Sequence, residues 1–299
     1  MGWEYKVVSS IAEASGVLTA YQGQARVIAA GTDLMLDLWA KKKTVKCLVD
    51  ITKIGSIKKI SCENETIFIG AGVTFQEIAT NPQIREKAAA LAEAASLMGS
   101  PQIRNTATIV GNIVNAQPAA DAAVALMAFD AELELASAQG EHYMKLRDCY
   151  ESYGNSAVDS TMQIVTGVRF KLPQQKFGSA FVRFAKRKSL ALPVLNAAVC
   201  LHMNNDAFLQ AQIIVAPAGP RPFRAIGAEA ILMGQQKGSD LFQQAALKAA
   251  DEAPFRSSPL RGDLVYRRHL AAVLINEALE KAFVRAKRDQ EGKMLYAKG

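Results

Sequence analysis

The hydrophobic pattern of this chain changes character around Leu172-Pro173-Gln174-Gln175-Lys176, and that break sets its architecture. Ahead of it, short apolar runs alternate with helical stripes. Behind it come three strand-like runs, 179–186, 193–203 and 210–216, with Asn204-Asn205-Asp206 as the clearest turn signal. Strands that follow one another through short turns pair antiparallel, whereas parallel strands need a long crossover. The second part therefore predicts an antiparallel meander, followed by helices near 224–234, 239–251 and from Asp263 past Phe283. Two domains fit a chain of 299 residues. The tail from Arg288 is polar and is expected to fray.

The first part alternates strands and helices. Residues 9–22 predict a helix capped by Ser9 or Ser10, with Ile11, Ala14, Leu18 and Tyr21 on one stripe. Residues 26–29, 46–51 and Thr66–Gly70 predict strands. Thr74 predicts a helix start, with Glu77 three residues on to complete a capping box. Residues 82–98 carry the strongest helical pattern. Asn81 caps it, Pro82 suits its first turn, and Ile84, Ala88, Leu91, Ala95 and Met98 line one side up to Gly99. A helix over 119–129 and a strand over 130–137 follow. Ile164, Thr166, Val168, Phe170 and Leu172 alternate as a further strand.

Composition excludes several function classes. Half the residues are hydrophobic and 21% are charged, which argues against wholesale disorder. No apolar run reaches the ~18 residues of a membrane span, and no signal-peptide pattern opens the sequence. A soluble cytoplasmic protein without membrane insertion is expected. Cys47, Cys62, Cys149 and Cys200 lack the close spacing of a zinc or iron–sulfur site, so buried reduced thiols and no metal centre are expected. Net charge is +7, with basic runs at Lys41 to Lys43, Lys186 to Lys188, and Arg285 to Arg288. Aromatics do not interleave with them, so no nucleic acid is expected; these runs read as solvated faces, or as an attraction for an anionic nucleotide or an acidic partner at Lys186 to Lys188. Gly70-Ala71-Gly72 is not a dinucleotide fingerprint, because Phe75 stands at its third small position. His142, His202 and His269 have no catalytic motif around them.

Two segments about eighty residues apart carry the functional signal: Val27-Ile28-Ala29-Ala30-Gly31-Thr32-Asp33-Leu34 and Thr108-Ile109-Val110-Gly111-Asn112-Ile113. Each joins a small-residue turn to an apolar run and places a hydrogen-bonding side chain on the turn. Two such turns suit a diphosphate gripped from both sides. The second lies within Gly99-Ser-Pro-Gln-Ile-Arg-Asn-Thr-Ala-Thr-Ile-Val-Gly-Asn-Ile-Val-Asn-Ala-Gln-Pro-Ala-Ala-Asp121. This stretch resembles the FAD-binding (medium) subunit of molybdenum hydroxylases of the xanthine dehydrogenase and carbon monoxide dehydrogenase group. That family carries Q-I-R-N, T-I-G-G-N and N-A-x-P-x-x-D in this order, and A-G-G-T-D-L in its first loop. Ala216-Pro217, Arg224-Ala225, Ser258 to Asp263 and Tyr266-Arg267-Arg268 extend the resemblance to about residue 285.

The resemblance implies an α+β fold. A two-lobed FAD-binding domain of the vanillyl-alcohol-oxidase-like type would cover 1–173, in lobes of about 1–55 and 56–173. A smaller domain with an antiparallel three-stranded sheet and helices would cover 177–287, leaving 288–299 as tail. Carried over residue by residue, Val27 to Leu34 and Thr108 to Asn112 would clamp the FAD pyrophosphate. Asp121 would accept from the ribose or flavin tail, or cap the helix after it. Met98 would lie near the flavin or pack in the core. Val168 would meet the adenine, with Arg183 as a basic contact and Leu190 near the isoalloxazine. Ala30 and Val110 replace family glycines. Either ordinary backbone angles and a core-facing Val110 accommodate them, or FAD binds weakly. The resemblance implies a subunit passing electrons from iron–sulfur clusters through FAD to NAD+ or another acceptor. The molybdenum cofactor would sit on a large partner chain and the clusters on a small one. A stand-alone FAD oxidoreductase and a scaffold without cofactor stay open.

Overall fold

The structure is a computed structural model and describes residues 2–173, 176–187 and 190–287. Gln174, Gln175, Lys188 and the predicted tail 288–299 lie outside the described residues. In chain order the elements are β1 (Glu4–Val7), α1 (Ile11–Ala20), β2 (Ala25–Ile28), α2 (Leu34–Trp39), β3 (Cys47–Asp50), β4 (Ile60–Glu63), β5 (Thr66–Gly70), α3 (Phe75–Thr80), α4 (Pro82–Lys87), α5 (Ala89–Leu97), α6 (Pro101–Arg104), α7 (Ile109–Val114) and α8 (Asp121–Met127). They continue with β6 (Glu132–Ser137), β7 (Gly140–Lys145), β8 (Tyr150–Ser152), β9 (Asn155–Ser156), β10 (Gln163–Lys171), β11 (Phe177–Phe184), β12 (Leu195–Asn204), β13 (Ala207–Ala216), β14 (Phe223–Arg224), α9 (Ile226–Leu232), α10 (Leu241–Glu252) and α11 (Leu264–Ala286).

The chain forms two compact units. The first holds Met1–Ile78, Ser100–Gln117 and Asp130–Lys171; the second holds Ala79–Gly99, Pro118–Phe129 and the chain from Leu172 onward. In the first unit, β1, β3 and β2 form a parallel sheet in that order. Its helix α1 starts where the sequence predicts, with Ser10 Oγ accepting from the Glu13 amide at 3.1 Å. The antiparallel sheet β4-β5-β10-β6-β7 is the larger one. Gly70 ends β5 because a Cβ there would sit 2.2 Å from the Ile57 carbonyl oxygen. That contact and the antiparallel neighbours of β5 give the Gly70-Ala71-Gly72 turn a packing role. The capping box also forms: the Thr74 amide donates to Glu77 Oε2 at 2.7 Å, and the Glu77 amide to Thr74 Oγ1 at 3.3 Å.

In the second unit, β11, β12, β13 and the two-residue β14 form an antiparallel sheet, one short strand more than the expected three. Asn205 and Asp206, at φ 45° and 69°, turn the β12–β13 hairpin as their residue types predict. The helix predicted over 82–98 is in fact two. Asn81 Oδ1 accepts from the Ile84 amide at 3.1 Å as expected, but Ala88 leaves helical angles at φ −138°, ψ 53°. Ser179 Oγ on β11 accepts from the Ala90 amide at 3.2 Å and satisfies the new helix start. The break is a tertiary effect that periodicity does not encode.

Asp263 caps α11 by accepting from the Tyr266 amide at 2.8 Å. Small residues Ala271, Ala278, Ala282 and Ala286 on its buried stripe let the helix lie flat on the sheet. A Cβ added at Gly178 of β11 would fall 2.0 Å from the Ala282 carbonyl oxygen and 2.6 Å from the Ala286 nitrogen. Both obstacles are backbone, so they cannot swing aside. Gly178→Ala is expected to destabilise the protein by about 1–3 kcal/mol or more, seen as a lower urea midpoint. An unchanged midpoint would show that α11 does not sit on β11 as described.

Candidate functional site

The first segment begins in β2 and continues past the C-terminal end of the parallel sheet. The Val27 amide donates to the Ser160 carbonyl at 3.0 Å, and the Ile28 carbonyl accepts from the Ile51 amide at 3.1 Å, so the strand is held on both edges. The chain then turns at Gly31, whose φ of +70° is left-handed. The Gly31 carbonyl accepts from the Met35 amide at 3.0 Å and opens α2. Ala29, Gly31, Thr32 and Leu34 are half-buried, while Ala30 and Asp33 reach solvent. Ala30 keeps φ outside the left-handed region, so the extra methyl strains nothing. The Asp33 carboxyl is raised above its ordinary range by desolvation first and then by Asp37, with Lys43 opposing.

The second segment is the first turn of α7 rather than a free loop. Thr108 is its N-cap and accepts from the Gly111 amide at 3.2 Å through Oγ1. The Phe75 amide donates to the Ala107 carbonyl at 3.1 Å and the Ile109 amide to the Val73 carbonyl at 3.2 Å, stitching this turn to the one before α3. A Cβ on Gly111 would press on Thr108 Oγ1 at 3.0 Å. Val110 sits in α7 without left-handed φ and is 6% exposed. Of the two alternatives for this residue, the structure has the core-facing side chain. Asn112 Oδ1 is buried and has no hydrogen-bond partner. Ile109 and Val168 have no accessible surface.

Met98, Asp121, Arg183 and Leu190 belong to the second unit, where one guanidinium connects them. Arg183 donates from one terminal nitrogen to the Leu97 carbonyl, next to Met98, at 2.6 Å, and from the other to the Ala191 carbonyl, next to Leu190. Its Nε lies 3.5 Å from Asp121 Oδ2, too far for a hydrogen bond. Asp121 is the first residue of α8, directly after its N-cap Ala120. It is 5% exposed, and Oδ1 accepts from Asn196 Nδ2 at 2.6 Å. Desolvation pushes its pKa up to about 6, against the pull of Arg183 and Asn196. Asn196 is the partner that sequence reasoning missed; its only signal was a polar residue inside the apolar run Val194 to Val199.

The model described as "FAD binding domain in molybdopterin dehydrogenase" matches residues 2–174, and "CO dehydrogenase flavoprotein C-terminal domain" matches residues 180–282. This chain belongs to the molybdopterin dehydrogenase flavoprotein family. The first model spans β1 to β10 and the second most of β11 to α11, so the family fold accounts for both the parallel and the antiparallel sheets. Among family relatives, the nicotinate dehydrogenase FAD-subunit of Eubacterium barkeri is 35% identical over 68% of this chain and 70% of its own. The carbon monoxide dehydrogenase medium chain of Afipia carboxidovorans is 30% identical over 95% and 98%. The solved structure of reconstituted CO dehydrogenase from Oligotropha carboxidovorans superposes with a TM-score of 0.88 at 27% identity, over 95% of this chain and 99% of that one. Among the described residues, no helix is long and apolar enough to cross a membrane.

Proposed function

We propose that this chain is the FAD-holding subunit of a cytoplasmic molybdenum hydroxylase, and that it grips the cofactor's diphosphate and ribose with Val27 to Leu34 and Thr108 to Asn112. The buried, unpartnered Asn112 Oδ1 carries this reading most directly. A buried acceptor without a donor is costly, and a ribose or ribityl hydroxyl supplies the missing donor. A phosphate oxygen does not, so Asn112 is assigned to a sugar hydroxyl.

The other residues fit the group. The left-handed turn at Gly31 lets backbone N–H groups approach an anion without a Cβ in the way. The Thr32 hydroxyl donates to a phosphate oxygen. Thr108 Oγ1 already accepts from Gly111 and keeps its proton for donation. Burial of Val110 removes the bulk that would crowd the diphosphate.

Bound FAD supplies an electron carrier that works in single or paired steps. The names of the relatives, a FAD-subunit and a medium chain, support a role inside a complex. On this reading, electrons arrive from iron–sulfur clusters on a small partner chain, having left a molybdenum site on a large one, and leave to NAD+ or another small acceptor. The purified chain or complex is expected to be yellow and to release FAD on denaturation. A colourless protein that takes up no added FAD sinks the proposal.

A further inference from the structure

We infer that the outer face of α2 is the docking surface for an acidic partner chain, a reading that rests on the subunit assignment above. The inner face of this helix is spoken for: Leu34, Met35 and Leu38 pack with Ile28 and Leu48 on the parallel sheet. Leu36 and Trp39 lie three residues apart, hence on one side of the helix, and are 59% and 65% exposed. Tyr5 on the edge strand β1 is 54% exposed. Its register partner is Leu48, so it stands on the sheet face that α2 covers. Large apolar side chains this exposed to water mark an interaction surface when they adjoin one another, as Leu36 and Trp39 do on α2.

The charges around the patch select the partner. Lys41, Lys42 and Lys46 are exposed, and no carboxylate pairs with them among the described residues; Lys43 alone pairs, with Asp37 at 3.0 Å. Lys41 also holds a left-handed φ of 57°, so the run departs from the helix in a fixed bend. An apolar centre rimmed by unpaired lysines complements a protein surface with an apolar centre and a carboxylate rim. A second copy of this chain would bring the same lysines to the same place, and its charge of +7 opposes such pairing. Two apolar side chains on a six-residue helix bury too little to hold a lipid surface unaided.

The test uses the native complex, purified with its partner chains, and two variants of this chain: Trp39→Glu and the double change Lys41→Glu, Lys42→Glu. Sedimentation against sodium chloride concentration reads the affinity, and flavin absorbance per chain reads the cofactor. Both variants are expected to weaken association about tenfold or more with flavin content unchanged. The lysine double variant should show its largest deficit at low salt, because screening weakens its charge repulsion. Variants that assemble as tightly as wild type overturn this inference alone. It is also overturned if the patch instead mediates self-association of the isolated chain, or its retention on phosphatidylserine vesicles, and the same variants abolish that. A wild-type chain that never carries partner chains overturns the subunit assignment and this inference together.

Discussion

Replacing Gly31 by valine is expected to leave a folded protein that no longer retains FAD. Gly31 sits at φ +70°, where a β-branched residue meets its own carbonyl. The strain is roughly 1–2 kcal/mol, and the chain relieves it by rotating the turn. Rotation moves the N–H groups that the proposed grip aims at phosphate. A new Cβ would also lie 3.0 Å from Ile28 Cδ1 and Met35 Cγ. Both are ends of flexible side chains and yield by a few tenths of an ångström, so the fold survives. Loss of 1–2 kcal/mol from the cofactor alone weakens binding by roughly 5- to 30-fold, and lost phosphate contacts add to it. Ala30→Gly is the matched control: Ala30 already keeps ordinary angles, so its removal should leave affinity within about twofold. Flavin fluorescence titration measures both. Wild-type affinity in the valine variant would refute the placing of diphosphate at this turn.

What the sequence made legible depended on whether a local rule decided the outcome. Ser10, Thr74 with Glu77, Asn81 and Asp263 all cap the helices they were expected to start, because a cap needs only a side chain and an amide a few residues apart. The strands after the linker were legible for the same reason: their apolar runs and the Asn205-Asp206 turn are local. The split at Ala88 was not, since Ser179, far along the chain, supplies the hydrogen bond that makes it tolerable. Strand β1 was missed because all four of its residues are exposed and leave no burial pattern to read. Helix α7 was hidden inside the second motif and α2 starts on the last residue of the first, each too short for a periodic stripe.

The candidate site divides along the same line. Motif wording located both segments but left Val110 open, because it does not reveal that this position lies in a helix. Nothing local announced that Asp121 would be held by Arg183 and Asn196, which lie on strands β11 and β12.

That buried pair gives a stability effect that depends on pH. Asp121→Ala is expected to destabilise the protein by about 1–3 kcal/mol at pH 4, where the neutral acid is most favourable, because it leaves the buried Asn196 amide without its acceptor. Asp121→Asn keeps the shape and isolates the ionisation. In the folded chain the carboxyl titrates near 6, above its unfolded value of 3.8, since desolvation outweighs a guanidinium that approaches only to 3.5 Å. The raised pKa means that the neutral acid is the better-tolerated form. Its stabilising contribution is therefore complete below pH 3.8, fades as pH rises to about 6, and is gone above that. At 1.36 kcal/mol per unit, the span from 3.8 to about 6 corresponds to roughly 3 kcal/mol. Other carboxyls, Glu132 and Asp206 among them, are shifted downwards and act in the opposite sense, so the wild-type profile alone is not diagnostic. The difference between wild type and Asp121→Asn cancels them. In urea titrations of flavin-free protein, wild type should lose roughly 2–2.5 kcal/mol relative to Asp121→Asn between pH 4 and pH 7. A difference that stays constant with pH, or that grows in favour of wild type, would mean that Arg183 compensates the charge in full.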